Sequence, residues 1–319
     1  MKIAVVTTSF PRDAQDASGH FVATEAAELC RAGHDVHVYA PGHGAPRRGG
    51  VHVHWIDGGE AFGFPGAVPR LRERPSRIVD ALRFIIACRR QLHAQPFDRI
   101  VAHFVLPSAW PILSGIKTPV EVVGHGTDVR LLMALPTPIG RRIVRGLLRN
   151  GASFRFVSTE QRRGIARFIP ELATAEVRPA AIDLAGVPDR ASARRALELR
   201  ADTQLALIVG RLVPSKRSAI AISAALLLPR TQVVVVGDGP ERERLEGKYP
   251  SAHFVGHLPR HQCLRWIAAA DVLITASRHE GAPTAVREAR ALSVPVVSVP
   301  AADLRAWSEH DAELYVVSG

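Results

Sequence analysis

The sequence predicts an α/β protein built of two Rossmann-like domains that face a cleft. The chain of 319 residues is longer than a typical domain with one hydrophobic core, and its length suits two domains. Short β-branched runs alternate with amphipathic stretches along the chain. This alternation is typical of parallel sheets covered by helices on both faces. The hydrophobic content of 47% and charged content of 22% are those of an ordinary globular protein.

The elements follow one another in the order that this fold requires. Helices are predicted at residues 19–32 and 77–93. The predicted strands cover residues 2–8, 35–40, 99–103, 120–124, 155–158, 205–209, 232–236, 272–275 and 294–299. Apolar strands are absent around residues 170–202, where three prolines occur. We therefore predict an N-terminal Rossmann-like domain at 1–175, a linker at 176–202 and a C-terminal Rossmann-like domain at 203–319.

The net charge of +11 predicts a surface that attracts anions. Nucleic acid is a poor candidate because the chain has no RNP-like aromatic pattern, zinc finger or lysine-rich tail. Phosphorylated substrates and peripheral contact with an anionic membrane remain, beside a simply solvated basic face. The three cysteines lie far apart without a CxxC motif, which predicts reduced thiols and neither a disulfide framework nor a zinc site.

The N-terminus lacks the apolar core of a signal peptide, and the longest uncharged apolar run, residues 218–229, is shorter than the ~20 residues that span a bilayer. We expect a cytoplasmic protein that can reside at the inner face of the membrane. The loop at residues 57–75 mixes Phe62 and Phe64 with arginines. It is either an ordinary surface loop or one that contacts an acceptor or a membrane.

Two basic residues follow the predicted strand at 205–209. Gly210 ends this strand, and Arg211 and Lys216 come next, five residues apart. Arginine offers a planar fork to phosphate oxygens and lysine a mobile point charge. Both residues are therefore candidates for binding a diphosphate, with solvated loop residues as the alternative.

A second motif follows the predicted strand at 272–275. Gly281 to Thr284 would open a helix whose first N–H groups form an anion site. Glu280 and Glu288 are eight residues apart. On a helix this spacing separates them by about 80° around the axis and ~12 Å along it. One carboxylate would then reach a sugar hydroxyl and the other a ribose diol.

The chain resembles glycosyltransferase family 4, whose members have the two-domain GT-B architecture. The motifs that carry the resemblance occur in the family's order along nearly the whole chain. They are Ser9-Phe-Pro with Gly19-His-Phe21, Gly33-His34-Asp35-Val36, Ala102-His103-Phe104, Gly124-His125-Gly126-Thr127-Asp128, Arg178-Pro179, Gly210-Arg211-Leu212 with Lys216, Gly237-Asp238-Gly239-Pro240, Gly256-His257-Leu258 and the paired glutamates Glu280 and Glu288.

The resemblance implies roles for the donor site. Arg211 and Lys216 would neutralise the leaving diphosphate, together with the segment from Gly281 to Thr284. Glu280 would contact the transferred hexose and Glu288 the ribose. The chain contains no Asp-x-Asp pair, so we expect neither a metal nor another cofactor, and the nucleotide-diphosphate sugar is a co-substrate.

The resemblance also implies that residues 1–175 are the acceptor-side domain and residues 203–319 the nucleotide-sugar-binding domain, and it gives roles to three further places in these motifs. Gly19 would let the backbone approach the phosphate and the acceptor, because a side chain would block it. His125 would orient the acceptor or donor sugar near the anomeric carbon, although a structural histidine is the alternative. Gly256, His257 and Leu258 would lie near the base.

The function implied is retaining transfer of a hexose to a polysaccharide, lipid-linked or other cell-envelope acceptor. Ser293 stands close to where the family has a glycine, and the chain ends at Gly319 before the family's last helices. We therefore keep two alternatives. One is a non-catalytic or partner-dependent subunit of this fold, and the other is a sugar-nucleotide epimerase.

Overall fold

A computed structural model describes residues 1–319 except 14, 17, 64, 65, 201, 318 and 319. The chain divides into two compact units, Met1–Ala181 and Ile182–Gly319. The boundary falls inside the segment predicted as a linker, which also contains a short strand and a helix. Each unit is a largely parallel sheet with helices, so the predicted pair of Rossmann-like domains is confirmed.

The sheet of the first unit has eight strands in the described part of the chain. The strands are β1 (Lys2–Val6), β2 (Asp35–Pro41), β3 (Arg47–Arg48), β4 (Val51–Ile56), β5 (Arg99–His103), β6 (Val120–Gly124), β7 (Ser153–Phe156) and β8 (Glu176–Val177). Their order is β3-β4-β2-β1-β5-β6-β7-β8, and only the β3–β4 pair among them is antiparallel. The helices are α1 (His20–Arg31), α2 (Ala67–Glu73), α3 (Ile78–His93), α4 (Thr127–Ala134), α5 (Thr137–Arg149) and α6 (Thr159–Ala166).

The second unit holds six described strands in the order β11-β10-β9-β12-β13-β14, all paired in parallel. They are β9 (Gln204–Val209), β10 (Thr231–Val236), β11 (His253–Gly256), β12 (Val272–Thr275), β13 (Val296–Ser298) and β14 (Leu314–Val316). The helices are α7 (Arg190–Ala196), α8 (Ser218–Ala225), α9 (Arg242–Lys248), α10 (Arg260–Ala269), α11 (Thr284–Ala291) and α12 (Leu304–Ser308).

The central strands form because they are apolar on both faces. Residues 3–6 of β1 and residues 233–236 of β10 are all buried. A strand that is buried on both faces belongs in the middle of a parallel sheet, with helices above and below it. The loops at the carboxyl ends of these strands are therefore held on a rigid frame.

The loop predicted at residues 57–75 differs from the expectation. Phe62 is not an exposed aromatic: it is buried, and its ring packs edge-on against Phe84 of α3 at a centroid distance of 4.9 Å. Burying an apolar ring of this size stabilises the fold by about 1.5–3 kcal/mol, which explains its position. Phe64 lies outside the described residues.

Candidate functional site

The strand order of the second unit reverses between β9 and β12. Strands β10 and β11 follow on one side of β9, and β12 to β14 lie on the other side. Open parallel sheets bind their ligands outside the carboxyl ends of the strands at such a switch point. The loop after β9 carries Arg211 and Lys216, and the loop after β12 carries Glu280. The predicted motifs therefore meet at the position where this fold class binds ligands.

The two loops are tied together by direct contacts. The Nζ atom of Lys216 lies 2.5 Å from Oε1 of Glu280, and both side chains are largely buried, with 24% and 13% of their surface exposed. Beside this pair, Nε of Arg217 donates a hydrogen bond of 2.7 Å to the carbonyl oxygen of Ala276. The geometry brings together two residues that are 64 positions apart in the sequence.

Arg211 adds a second cation to this place. It follows Gly210, whose φ of +153° belongs to the region that favours glycine. Desolvation lowers the pKa of Arg211, while the nearby carboxylate of Glu280 raises it. An arginine remains protonated under such a shift. Arg211, Lys216 and Glu280 together therefore present a net positive charge, which suits an anionic ligand.

The helical relation predicted between Glu280 and Glu288 is wrong. Helix α11 begins at Thr284 with Pro283 as its N-terminal cap, so Glu280 and Gly281 lie in the preceding loop. Proline fixes its φ angle and disfavours a helical conformation of the residue before it, which explains why the helix does not extend back to Glu280. Thr284 is the first helical residue, and only Glu288 lies on the helix.

Glu288 is enclosed by the protein, with 4% of its surface exposed. Burial raises the pKa of this carboxyl, and the guanidinium of Arg260, which forms an ion pair with it, opposes the rise. The other amino group of Arg260 donates a hydrogen bond of 3.1 Å to the carbonyl oxygen of Asp183. Arg260 is not predictable from its sequence position alone, because its partner Glu288 is 28 residues away.

Three loops at this end of the sheet pack backbone against backbone. A Cβ atom on Gly237 would lie 1.9 Å from the carbonyl oxygen of Gly210, and one on Gly239 would lie 2.4 Å from that of Leu212. The N–H of Gly237 donates to the carbonyl oxygen of Gly256 at 2.8 Å. Gly256, followed by His257 and Leu258, ends the edge strand β11, which β10 separates from β9. Strand β10 therefore lies between these predicted base-proximal residues and strand β9, whose loop carries Lys216.

We expect Gly237→Ala to destabilise the protein, because a methyl group cannot occupy a position 1.9 Å from a carbonyl oxygen and the φ of +142° is unfavourable for alanine. The loss in the free energy of unfolding should be about 3 kcal/mol or more. The matched control is Gly247→Ala on α9, where nothing lies within 4 Å and where alanine should stabilise the helix by up to about 1 kcal/mol. Urea unfolding of both variants measures the difference, and equal midpoints would contradict this packing.

The first unit has its own switch point, between β1 and β5. Gly19 lies in the loop after β1, directly before α1, with φ +64°. A Cβ atom there would lie 2.1 Å from the carbonyl oxygen of Ser9. The packing of its own loop therefore already requires a glycine here, whether or not a ligand approaches.

His125 follows β6 and is surrounded by rings. Its Nε2 atom lies 2.9 Å from Nδ1 of His103, and the ring centroids of Phe21 and Phe104 lie 4.7 and 4.8 Å from its own. Its backbone N–H donates a hydrogen bond of 3.0 Å to Oδ1 of Asp128. The end of β6, the rings of Phe21 and Phe104 and the carboxylate of Asp128 together fix the position of this imidazole.

The two histidines form a neutral pair. Burial lowers the pKa of His103 to about 3. Burial also lowers the pKa of His125 well below its usual value, and repulsion from a protonated His103 is the second cause. One ring donates and the other accepts in the bond between them. Nδ1 is the second polar atom of the His125 ring, and in a neutral imidazole it can take part in a hydrogen bond without adding charge.

A buried ion network lies beside this histidine pair and was not predicted. The guanidinium of Arg155 on β7, 1% exposed, pairs with Glu25 of α1 and donates from Nε to Oε1 of Glu121 on β6 at 2.6 Å. Burial raises the pKa of Glu25, and the effect of Arg155 opposes the rise. The sequence does carry a signal of this network, namely one charged residue inside each of two apolar strands. Strand β6 reads VEVVG and β7 reads SFRF.

Family models match both units. The model of the glycosyl transferase 4-like domain matches residues 17–181, and that of the glycosyl transferases group 1 matches residues 189–307. The chain therefore belongs to the glycosyl transferases whose N-terminal domain is of the glycosyl transferase 4-like type. Members of this enzyme class transfer sugars. None of the helices in the described part of the chain combines the length and the apolar character that a bilayer crossing needs.

Individual relatives agree with this family. The putative teichuronic acid biosynthesis glycosyltransferase TuaC of Bacillus subtilis (strain 168) is 29% identical over 323 residues, which cover 93% of this chain and 80% of the relative. A D-inositol 3-phosphate glycosyltransferase of Mycolicibacterium gilvum is 34% identical over 122 residues, covering 34% of this chain and 27% of the relative.

Solved structures share the fold. The sucrose-phosphate synthase of Thermosynechococcus elongatus matches with a TM-score of 0.75 at 20% identity, covering 96% of this chain and 83% of that one. Anabaena HepE, solved in complex with UDP and glucose, matches with a TM-score of 0.73 at 16% identity, covering 100% and 86%. The fold class is thus that of the GT-B glycosyltransferases.

Proposed function

We propose that this glycosyltransferase is a retaining hexosyltransferase that moves a hexose from a nucleotide-diphosphate sugar to a polysaccharide, lipid-linked or other cell-envelope acceptor. The observation that carries the proposal is the meeting of Arg211, Lys216 and Glu280 at the switch point of the second sheet. The name of the TuaC relative, a teichuronic acid biosynthesis glycosyltransferase, supports an acceptor of the cell envelope.

The two cations stabilise the departing diphosphate. As the bond to the sugar breaks, negative charge develops on the phosphate oxygen, and fixed positive groups lower the energy of this state more than that of the bound donor. Arg211 offers two parallel N–H groups and Lys216 one mobile charge. The segment from Gly281 to Thr284, at the N-terminus of α11, adds backbone N–H groups to the same anion.

The carboxylates recognise the neutral parts of the donor. Glu280 accepts hydrogen bonds from hexose hydroxyls, since it lies in the same loop pair as the phosphate-binding lysine. Glu288 accepts from the ribose diol, and its ion pair with Arg260 opposes the rise in its pKa that burial causes. Gly256, His257 and Leu258 contact the base from the end of β11.

The first unit contributes the acceptor side. His125 orients the sugar through Nδ1 of its neutral imidazole, and Gly19 allows backbone N–H groups to approach the phosphate. Retention follows a front-face route in which the leaving phosphate takes the proton of the acceptor hydroxyl. Contact with an anionic membrane, the last part of the proposal, would bring the enzyme to a lipid-linked acceptor.

The test is donor turnover by the purified chain with UDP-, GDP- and ADP-hexoses in the presence of EDTA. We expect release of the nucleoside diphosphate from at least one donor, at a rate that EDTA does not change, because Arg211 and Lys216 supply the charge that a metal would otherwise supply. The product of transfer should keep the anomeric configuration of the donor, which NMR reads directly. Inverted product, full loss of turnover in EDTA, or nucleotide binding without any turnover would each contradict the proposal.

A further inference from the structure

Helix α5 presents four exposed arginines on one side. They are Arg141, Arg142, Arg145 and Arg149. At 100° per residue these four lie within an arc of about 100°, and the first and last are ~12 Å apart along the axis. The opposite side of the helix is aliphatic and packs into the core of the first unit through Ile143, Val144 and Leu147. The helix therefore turns a row of cations toward solvent, at least one in each turn.

Three of these guanidinium groups are held at Nε and open at their ends. Nε of Arg141 donates a hydrogen bond of 2.7 Å to the carbonyl oxygen of Phe168, and Nε of Arg145 donates one of 2.7 Å to Oε1 of Glu171. Nε of Arg149 donates at 3.3 Å to the carbonyl oxygen of Arg145. Their Nη groups form no hydrogen bond with the described residues. Each arginine thus keeps the pair of parallel N–H groups that binds a carboxylate or a phosphate.

The four arginines line an open groove of about 840 Å³, which we call the arginine groove. Pro138, Leu148 and Glu171 complete its lining, and Glu171 is the one carboxylate among the described residues there. A concave surface with such an excess of positive charge attracts anions. Since side chains one helical turn apart are about 5–6 Å from each other, the groove suits a ligand whose negative charges recur along a chain.

An acidic glycan fits the arginine groove better than other polyanionic partners do. A bilayer needs an aliphatic helix face to enter its acyl boundary, but that face of α5 is buried and Ile139 is its exposed aliphatic residue. Single-stranded nucleic acid needs aromatic rings for base stacking, and no ring is among the described residues that line the groove. A second copy of the chain would bring like charges together. A linear acidic glycan needs only hydrogen-bond donors and positive charge.

We propose that the arginine groove binds a linear acidic glycan, in which carboxylates or phosphodiesters recur along the chain. The inference rests on the proposed function, because such a glycan would be the acceptor or the product chain of the transfer. The groove belongs to the first unit, whereas Arg211, Lys216 and Glu280 belong to the second. It therefore holds the glycan chain without taking part in binding of the nucleotide.

The test is a fluorescence-anisotropy titration of the full chain into labelled oligogalacturonate, poly(glycerol phosphate) and neutral dextran of similar length. We expect at least one acidic probe to bind and dextran not to bind, and added salt should weaken the binding. The probe that binds shows whether carboxylates or phosphodiesters supply the negative charge.

A double variant tests whether the groove is the binding surface. Arg142→Gln/Arg149→Gln should bind the acidic probe about tenfold more weakly, because two charge-assisted contacts are lost. Neither of these arginines forms an ion pair with the described residues, so the contact of Arg145 with Glu171 is kept. The matched control Arg31→Gln/Arg305→Gln removes the same charge from exposed positions on α1 and α12 and should bind like the wild type.

Three outcomes overturn the proposal. They are the failure of both acidic probes to bind the wild type, equal binding of dextran, and equal binding of the acidic probe by the groove variant. Because the substituted arginines are exposed, the thermal midpoint of each variant should stay close to that of the wild type. Release of nucleoside diphosphate from a soluble donor is measured on the same samples. Donor turnover without glycan binding would contradict the groove alone, and glycan binding without turnover would contradict the proposed function alone.

Discussion

Replacing Lys216 by alanine is expected to lower the turnover of a nucleotide-sugar donor by about 10²- to 10³-fold, the range found when one preorganised charge-stabilising group is removed from an active site. Lys216 lies in the loop after β9 and its ammonium group is held 2.5 Å from Glu280. Initial rates of nucleoside diphosphate release measure the effect. The control is Lys248→Ala, an exposed lysine at the end of α9, which should leave the rate unchanged.

A double variant separates the two ways in which Lys216 can act. If Lys216 only positioned Glu280, the pair Lys216→Ala/Glu280→Ala would lose no more activity than Glu280→Ala alone. We expect a larger loss in the double variant, because the lysine acts on the diphosphate and the glutamate on the hexose. Equal rates for the double variant and Glu280→Ala would restrict Lys216 to positioning, and wild-type rates in Lys216→Ala would remove it from the site.

Replacing Arg155 by methionine is expected to lower the free energy of unfolding by about 3–5 kcal/mol, the usual effect of removing one partner from a buried ion pair. Methionine fills much of the space of the arginine, so the loss comes from the carboxylates of Glu25 and Glu121, which stay buried without their shared cation. Urea unfolding followed by circular dichroism measures the shift in midpoint.

The matched control for Arg155→Met is Arg163→Met on α6, which exchanges an exposed arginine for the same residue. A surface substitution of this kind should change the free energy of unfolding by no more than about 0.5 kcal/mol. If both variants unfolded at the same urea concentration, the network of Arg155 would contribute nothing to stability.

The sequence predicts the fold best where strands are apolar on both faces. The predictions at residues 120–124 and 272–275 coincide with β6 and β12. Strand β4 is missed because histidines interrupt its apolar pattern. In the structure His52 and His54 stack on His37 of the neighbouring strand, at centroid distances of 4.8 and 5.2 Å. A contact between strands of this kind is invisible to a pattern read along one segment.

The sequence indicated which residues belong to the candidate site, but it indicated their geometry less well. Lys216 and Glu280 could be expected near each other, because both follow strands of one parallel sheet. The helical spacing of Glu280 and Glu288 fails because the helix begins only after Pro283. Arg260 could not be assigned to Glu288, since their contact depends on how α10 packs beside α11.

A calorimetric titration of UDP, GDP and ADP into the wild-type chain and into Lys216→Ala tests the proposed diphosphate site most directly. We expect at least one nucleoside diphosphate to bind the wild type. The substitution should weaken this binding by about tenfold or more, because it removes a charge-assisted contact of roughly 1.5–3 kcal/mol. Failure of all three to bind the wild type, or equal affinity in the variant, would contradict a diphosphate site at the switch point of the second sheet.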